Sequence, residues 1–202
     1  MKEKNFRFND KQMNAYIEGF EKALGLHYLF YVTEDPSAYP GFAVLSNGEG
    51  SMLFSSVGLS KHVSREFGGM RIEVILPYWG GLEWIGSDDL NPIKDLMLHL
   101  SKDIILKGFK GIYELNDELK DRFGYDYLVF FSSGMHIKVK GVGLVMPLFA
   151  LPIYEAEMDY LMEYLDDGKR WCMLAEDAGK WYKEHNRMAG SLNIRREQLA
   201  YV

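Results

Sequence analysis

Cysteine and long apolar segments are nearly absent from this chain of 202 residues. The single cysteine, Cys172, excludes an intrachain disulfide framework and is typical of proteins from a reducing compartment. No stretch is long and uncharged enough to span a bilayer, and the charged N-terminus lacks the apolar core of a signal peptide. These absences predict a cytoplasmic protein without a membrane partner.

Basic residues are also in deficit, because 23 Lys and Arg stand against 29 Asp and Glu and leave a net charge of −6 at pH 7. Binding to nucleic acid depends mainly on Lys and Arg side chains that neutralise phosphates. The composition therefore argues against a nucleic-acid partner. An acidic surface instead steers a protein toward a basic polypeptide, so we expect another protein as the partner.

The remaining composition, with 48% hydrophobic and 26% charged residues, is that of an ordinary globular protein. A chain of this length can form one sizeable core. We predict a single domain over 1–202, with its core at about 28–165. An N-terminal helix is expected at about 10–24, and a C-terminal helix and tail at about 169–202. The oligomeric state is left open.

The first quarter of the chain predicts one helix followed by antiparallel strands. Asn9 or Asp10 caps a helix with an apolar stripe, and Gly25 ends it. Farther along, the Asn47-Gly48 pair favours a tight hairpin because it accepts positive φ angles. The strands expected in this part are 26–32, 42–45 and 51–57.

Residues 70–76 alternate in polarity, which predicts a half-buried β-strand. Its even-numbered residues are all apolar, whereas the other face carries Arg71, Glu73 and Ile75. Gly68-Gly69 precedes the strand, and Pro77 is expected to end it because proline cannot donate a ladder hydrogen bond.

The second half of the chain predicts a further helix and three strands. After a loop over 78–89, Asn91 caps a helix that has Pro92 in its first position and ends at Gly108. A polar connector over 114–121 follows. The three expected strands are 126–131, 135–139 and 142–150.

Two helices complete the predicted order. One follows Pro152 and ends near Gly168, and the other runs from Lys169 to about His185. The tail from Arg187 onward is expected to be loosely held. Together these elements predict an α+β fold with a mostly antiparallel mixed sheet flanked by helices.

Residues able to carry chemistry are scattered rather than clustered. The five histidines show no spacing for metal ligation, so we predict no metal site and no cofactor. The Gly58-Leu59-Ser60 turn lacks the Gly-x-Ser-x-Gly pattern of a nucleophile elbow. Glu155 and Glu157 point in different directions on the expected helix and form a poor acid–base pair. We therefore predict that the protein is not an enzyme.

One stretch combines the residue types of a protein-binding surface. The expected loop after the alternating strand places Tyr78, Trp79 and Trp84 beside Asp88 and Asp89. Exposed aromatic rings with neighbouring carboxylates are typical of contacts to a basic protein. We take these five residues as the candidate partner-binding site. The alternative is that Trp79 and Trp84 pack on the sheet.

Three motifs resemble the Suppressor of fused (SUFU) domain family. The first is Gly58-Leu59-Ser60 with the following Arg-Ile-Glu-Val-Ile-Leu-Pro strand. The second is the helix over 93–106, and the third is the Pro-Ile-x-x-x-Glu segment within Leu151-Pro-Ile-Tyr-Glu-Ala-Glu-Met158. The resemblance covers residues 28–165 and identifies the chain as a short, bacterial-type single-domain member. It implies a SUFU-like arrangement of the α+β fold.

The resemblance also implies a function in binding proteins. Animal members restrain Gli-type transcription factors through a larger two-domain protein, and this chain has room only for the first domain. Short bacterial relatives are commonly proposed to be immunity proteins that bind and neutralise a cognate toxin, and the resemblance implies the same function here. The first alternative is a regulatory or scaffold module that binds an extended peptide. The second is a small-ligand receptor or enzyme whose site is assembled from distant residues.

Overall fold

A computed structural model describes residues 7–32, 40–62, 69, 71–80, 87–163, 168–185, 187 and 190–202. The helices in this part of the chain are α1 (Asp10–Leu24), α2 (Ser87–Lys107), α3 (Asp117–Phe123), α4 (Glu155–Glu163) and α5 (Gly168–Glu184). The strands are β1 (His27–Val32), β2 (Gly41–Ser46), β3 (Ser51–Val57), β4 (Arg71–Trp79), β5 (Ile112–Glu114), β6 (Tyr127–Ser132), β7 (Ile137–Val139) and β8 (Gly143–Ile153). A single 3-10 turn, Leu59–Lys61, follows β3.

The strands form one mixed sheet in the order β1-β2-β3-β4-β8-β6-β5, and β7 pairs with the beginning of β8. The pairing of β4 with β8 is parallel, and the other pairings among the described strands are antiparallel. The predicted α+β class with a mostly antiparallel mixed sheet is thus confirmed. None of the helices described is both long and apolar enough to cross a bilayer.

Helices cover both faces of this sheet. On one face, Val74 and Leu76 of β4 belong to a buried cluster with Leu96 and Leu100 of α2. On the other face, α1 packs over the β1–β4 half and over β7. On that second face α4 and α5 cover β6 and the end of β8 through a third cluster that includes Leu174.

The predicted half-buried strand is instead buried on both faces. Residues 72–78 of β4 are all buried, including Glu73 and Ile75 on the face expected to be polar. The side chains still alternate between the two faces of the sheet. Those of the even-numbered residues belong to the cluster that contains α2, whereas Ile75 belongs to the cluster that contains α1. A central strand with helices on both sides has no solvent-exposed face.

The prediction that Pro77 ends this strand is also wrong. Pro77 pairs with Leu53 in the ladder, and its carbonyl accepts a 2.8 Å hydrogen bond from the N–H of Leu192. The polar groups of one strand residue point to the same edge, so the missing N–H of Pro77 faces the C-terminal tail rather than β3. The β3–β4 ladder therefore loses no hydrogen bond, and β4 continues to Trp79.

Two helix predictions also need correction. Helix α2 begins at Ser87 rather than after Asn91, which places Pro92 inside the helix near its start. The stretch predicted as a polar connector contains α3, whose N-cap Asn116 accepts a 2.9 Å hydrogen bond from the N–H of Leu119. At seven residues α3 is too short for a clear apolar period in the sequence.

The C-terminal tail is held in place, contrary to the prediction. The side chain of Asn193 accepts a hydrogen bond from the N–H of Trp79 at 2.8 Å and donates one to its carbonyl at 2.5 Å. The hydroxyl of Tyr125 donates to the carbonyl of Ile194 and accepts from the N–H of Arg196. The tail thereby takes the place of a neighbouring strand beside the end of β4.

Helix α1 approaches β7 so closely that one position tolerates only glycine. A Cβ placed on Gly19 would lie 2.5 Å from Cγ2 of Ile137, well inside van der Waals contact. Gly179 of α5 is the matched contrast, because a Cβ there would meet no atom within 4 Å. Both glycines lie inside helices, where alanine has the higher intrinsic propensity.

We predict opposite effects for alanine at these two positions. Gly19→Ala should lower the free energy of unfolding by about 1–3 kcal/mol through overpacking. Gly179→Ala should raise it by roughly 0.4–1 kcal/mol, because the unfolded chain loses conformational freedom. Urea unfolding followed by circular dichroism gives both values. Equal effects of the two variants would show that α1 does not sit this close to β7.

Candidate functional site

The structure places the five predicted binding residues in different environments. Tyr78 is only 8% exposed and packs edge-on against Phe54, with 5.8 Å between the ring centres. A partner can reach little of this ring. Trp84 lies outside the described residues, as do the side chains of Asp88 and Asp89, whose backbone forms the first turn of α2.

Trp79 is half-buried at the end of β4. The guanidinium carbon of Arg187 lies 4.3 Å from the centre of its indole ring. Gly50 lies against the same ring, since a Cβ added to Gly50 would be 3.2 Å from Cζ2 of Trp79. Its backbone is held by Asn193. Trp79 thus packs at the rim of the sheet, while part of its surface stays accessible. Its role in partner binding stays a prediction.

A different surface in the described residues joins aromatic, apolar and acidic side chains in one concavity. It is an open groove of about 540 Å³ between α1 and the first residues of β1, which we call the acidic groove. The lining residues are Asp10, Met13, Asn14, Ile17, Glu18, Glu21 and Tyr28. Every charged residue in this set is a carboxylate.

The acidic groove has an apolar floor and a charged rim. Ile17 is 8% exposed, whereas Tyr28 is 39% exposed and presents its ring to solvent. Glu18 and Glu21 are exposed, and Nδ1 of His27 lies 4.0 Å from the carboxylate of Glu21. Such a mixture suits a polypeptide that brings both an apolar side chain and cations.

The main-chain edge of β1 adjoins this groove. β1 is the terminal strand of the described sheet, and its register to β2 shifts between Tyr28 and Phe30. Edge strands carry one row of backbone groups that is not used by the sheet, and a bulge alters the direction of that row. The edge therefore adds hydrogen-bonding groups to the side of the groove.

Sequence reasoning missed this groove, although a signal was present. The apolar residues of α1 identify its buried stripe, and its polar residues carry no assignment from the sequence. Asp10, Asn14, Glu18 and Glu21 recur at intervals of four, four and three, which places them along one side of the helix. Only the position of Tyr28 across from that side turns them into a groove.

One further pocket among the described residues is small. A pocket between α2 and β5 measures about 80 Å³, well below the roughly 300–1,000 Å³ of typical ligand sites. Burial, together with a smaller effect of the Asp103 carboxylate, raises the pKa of Tyr113 in this pocket to about 12. In the described part of the chain no group of three or more His, Cys, Asp or Glu side chains is arranged to hold a metal ion.

Glu73 is fully buried and organises the turn that follows β3. One carboxylate oxygen accepts hydrogen bonds from the N–H of Gly58, the N–H of Ser60 and the hydroxyl of Ser60 at 2.7–3.0 Å. The other accepts from the hydroxyl of Ser56 at 2.5 Å and from the N–H of Leu59 at 3.2 Å. A buried carboxylate is stable only with such partners, so this turn is shaped around one side chain.

Burial decides the charge state of this carboxyl group. It raises the pKa of Glu73 from its ordinary value of 4.5 to about 7, although the hydrogen bonds from Ser56, Ser60 and Gly58 act in the opposite direction. The Ser56 hydroxyl also accepts a 2.9 Å hydrogen bond from the N–H of Val74, which joins this hydrogen-bonded unit to β4.

A second buried glutamate, Glu157, holds the C-terminal tail. It forms a two-pronged ion pair with the guanidinium of Arg196, and both side chains have no exposed surface. Its two oxygens also accept the N–H groups of Tyr154 and Leu199 at 3.1 and 3.2 Å. The pair joins the beginning of α4 to the tail, and the Arg196 guanidinium donates further to the carbonyl of Pro152.

The comparison with solved structures found four chains with significant similarity. A crystal structure of a protein assigned as a Suppressor of fused homologue, from Neisseria gonorrhoeae FA 1090, superposes with a TM-score of 0.53. The alignment covers 95% of this chain and 96% of that chain, at 11% sequence identity. The chain has a SUFU-like fold. No protein-family model matches the sequence, and no curated protein is significantly similar to it.

Two of the motifs that resemble the SUFU family acquire a physical explanation in this SUFU-like fold. Gly58-Leu59-Ser60 and Glu73 are the two halves of one hydrogen-bonded unit. The glutamate of the Pro-Ile-x-x-x-Glu segment is Glu157, whose carboxylate is paired with Arg196. Both glutamates therefore stabilise the fold, which explains the motif without a catalytic role for either residue.

The raised pKa of Glu73 predicts a pH-dependent stability. The folded state binds more protons than the unfolded state between pH 4.5 and about 7, so this group lowers stability as the pH rises through that window. The total change amounts to roughly 3 kcal/mol at most. Glu73→Gln should lack this slope and should cost about 1–3 kcal/mol near pH 5, because an amide cannot satisfy all the N–H donors of the turn.

Urea unfolding of both proteins at pH 5, 6, 7 and 8 tests this prediction. The free energy of unfolding of the variant, relative to the unmodified protein, should rise with pH. A constant difference across this range would show that Glu73 titrates with the same pKa in the folded and unfolded states.

The ion pair of Glu157 and Arg196 predicts a strongly non-additive mutant cycle. Either Glu157→Gln or Arg196→Met leaves one buried group without its partner, at a cost of about 3–5 kcal/mol. The double variant should cost much less than the sum of the single ones, because no charge remains buried. Chemical unfolding of the four proteins measures the coupling, and additive effects would show that the pair is exposed to water in solution.

Proposed function

We propose that this chain is a non-catalytic protein-binding domain of the SUFU family that binds a basic polypeptide in its acidic groove. Its biological role, on this proposal, is that of a cytoplasmic immunity protein that neutralises a cognate toxin. The observation that carries the proposal is the composition of the groove between α1 and β1. Three carboxylates surround an apolar floor, and no basic side chain is among the lining residues.

Charge supports the choice of a basic partner. The chain has a net charge of −6, and the carboxylates of Asp10, Glu18 and Glu21 concentrate part of it beside the accessible ring of Tyr28. Complementary charge accelerates the encounter of the two proteins, and an aromatic contact that becomes buried in the complex slows its dissociation. Both properties suit a protein that must capture its target before the target acts.

The same chemistry supports a toxin as that target. A toxin that acts on nucleic acid needs a cationic surface for the phosphates of its substrate. An acidic groove that occupies this surface would block the substrate by occlusion, without any chemical step. The resemblance of three sequence motifs to short bacterial SUFU-domain proteins, and the SUFU-like fold, agree with this role.

A second candidate function is the binding of an extended peptide by a regulatory or scaffold module. The edge of β1 favours it, since a peptide can add to the sheet there by main-chain hydrogen bonds. The two functions differ in their response to charge. Strand addition depends on backbone groups and changes little with surface carboxylates, whereas groove binding depends on them directly.

Charge reversal in the groove distinguishes these functions. The partner to be used is the product of the neighbouring open reading frame, co-expressed with the full chain and recovered by co-purification. We expect Glu18→Lys with Glu21→Lys to weaken that complex at least about tenfold, because like charges then face each other. Isothermal titration calorimetry provides the dissociation constants.

Glu176→Lys with Glu184→Lys is the matched control, since both residues are exposed on α5 at the other end of the sheet. It should leave the affinity unchanged. Equal affinity for the groove variant and the control would overturn the groove as the binding site. If a peptide that blocks the edge of β1 abolished binding while the charge-reversed groove variant kept its affinity, the scaffold function would be favoured instead.

A further inference from the structure

The flank of α1 opposite the acidic groove carries a basic surface. It is an open concavity of about 910 Å³ formed by Ala15 of α1 and by the hairpin of β7 and β8, which we call the basic hairpin. Lys138 and Lys140 are exposed on it, and Leu144 is exposed to 58%. Lys138 and Leu144 are direct cross-strand partners, so a cation and an exposed leucine stand side by side.

The position of the basic hairpin is fixed against α1. The side chain of Gln12 donates a hydrogen bond to the carbonyl of Lys140, and Gly19 leaves room for the side chain of Ile137. On the other side of α1, Asp10, Glu18 and Glu21 line the acidic groove. The two flanks of α1 therefore carry opposite charges, and Lys11 and Lys22 are exposed on the helix as well.

We propose that a second copy of this chain occupies both surfaces in a symmetric dimer. A two-fold axis parallel to α1, lying above its exposed face, brings the acidic groove of one copy onto the basic hairpin of the other. The same operation brings the second groove onto the second hairpin, as an isologous interface requires. An axis across the helix would place the carboxylates of one groove against those of the other, which like-charge repulsion disfavours.

Apolar complementarity accompanies the charges in this arrangement. Each acidic groove presents the ring of Tyr28, and each basic hairpin presents Leu144. The symmetry places an aromatic ring and an aliphatic side chain in each half of the interface, ringed by Lys and Glu. Apolar contacts at the centre and ion pairs at the rim are the usual distribution in protein interfaces.

The dimer has a regulatory consequence that rests on the proposed function, whereas the dimer itself does not. Self-association covers the acidic groove, so a basic partner must compete with the second copy for it. The chain would be a closed dimer when alone and a one-to-one complex when bound. Dimerisation measured without any partner tests the inference separately from toxin binding.

Sedimentation velocity of the full chain is the first test. At an ionic strength of about 0.01 M, where the Debye length is about 30 Å, we expect a concentration-dependent dimer. At about 1 M, where the Debye length is about 3 Å, the dissociation constant should rise at least about tenfold. A monomer at every concentration in low salt would overturn the proposal.

A charge-swap experiment tests the geometry. The acid-reversed variant, Glu18→Lys with Glu21→Lys, has two basic flanks, and the base-reversed variant, Lys138→Glu with Lys140→Glu, has two acidic flanks. Each alone should be monomeric, and an equimolar mixture should form a heterodimer. All four side chains are exposed, so both variants should keep the fold, which circular dichroism verifies.

Lys183→Glu on the exposed side of α5 is the control and should dimerise like the unmodified chain. A dimer that persists in both reversed variants would place the interface elsewhere and would refute this arrangement. Monomeric variants whose mixture also stays monomeric would refute the two-fold axis along α1.

Discussion

A carboxylate removed from water must find all its hydrogen bonds within the protein, and this constraint on Glu73 shapes the centre of the molecule. Its strand, β4, joins the antiparallel half of the sheet to β8 through the only parallel pairing among the described strands. The turn at Gly58 turns its N–H groups toward Glu73, with Gly58 at a φ of 107°. Arg71 then donates to the carbonyl of Ser60, which fixes the turn from outside.

The other half of the sheet also contains a buried carboxylate, but its charge is balanced by an ion pair. Glu157 is neutralised by Arg196 rather than by a turn, and the tyrosines around the pair complete it. The hydroxyl of Tyr154 donates to the carbonyl of Arg196, and Tyr125 contacts Tyr182 and the tail. Each buried glutamate thus binds a segment distant in sequence, so the fold is specified by two polar contacts within largely apolar layers.

Local signals predicted the parts of the fold that local interactions determine. The helix α1 has a capping box in which Asn9 and Gln12 exchange hydrogen bonds, and Asn47 closes the β2–β3 hairpin by accepting from Glu49 and Ser51. Such contacts span two to four residues and leave a direct trace in the sequence. The α+β class followed from such signals, whereas the short elements α3 and β5 were not predicted.

Long-range contacts account for what the sequence did not predict. β4 was expected to have a polar face because Arg71 and Glu73 alternate with apolar residues, but the face is covered by elements that no local pattern connects to it. Pro77 was misjudged because the tail takes the edge beside it, and the tail itself has no periodicity. The candidate groove depends on the same kind of information, since Tyr28 and Glu18 meet only in three dimensions.

The pairing of Glu157 with Arg196 also bears on how the chain is made. Synthesis proceeds from the N-terminus, so every strand and helix leaves the ribosome before the arginine that neutralises Glu157. Until then, native packing of α4 against the sheet would bury a lone negative charge, which is strongly unfavourable. The half of the domain built on β6, α4 and α5 therefore acquires its native packing after translation has passed Arg196, whereas the half built on α1 and β1–β4 is free to pack earlier.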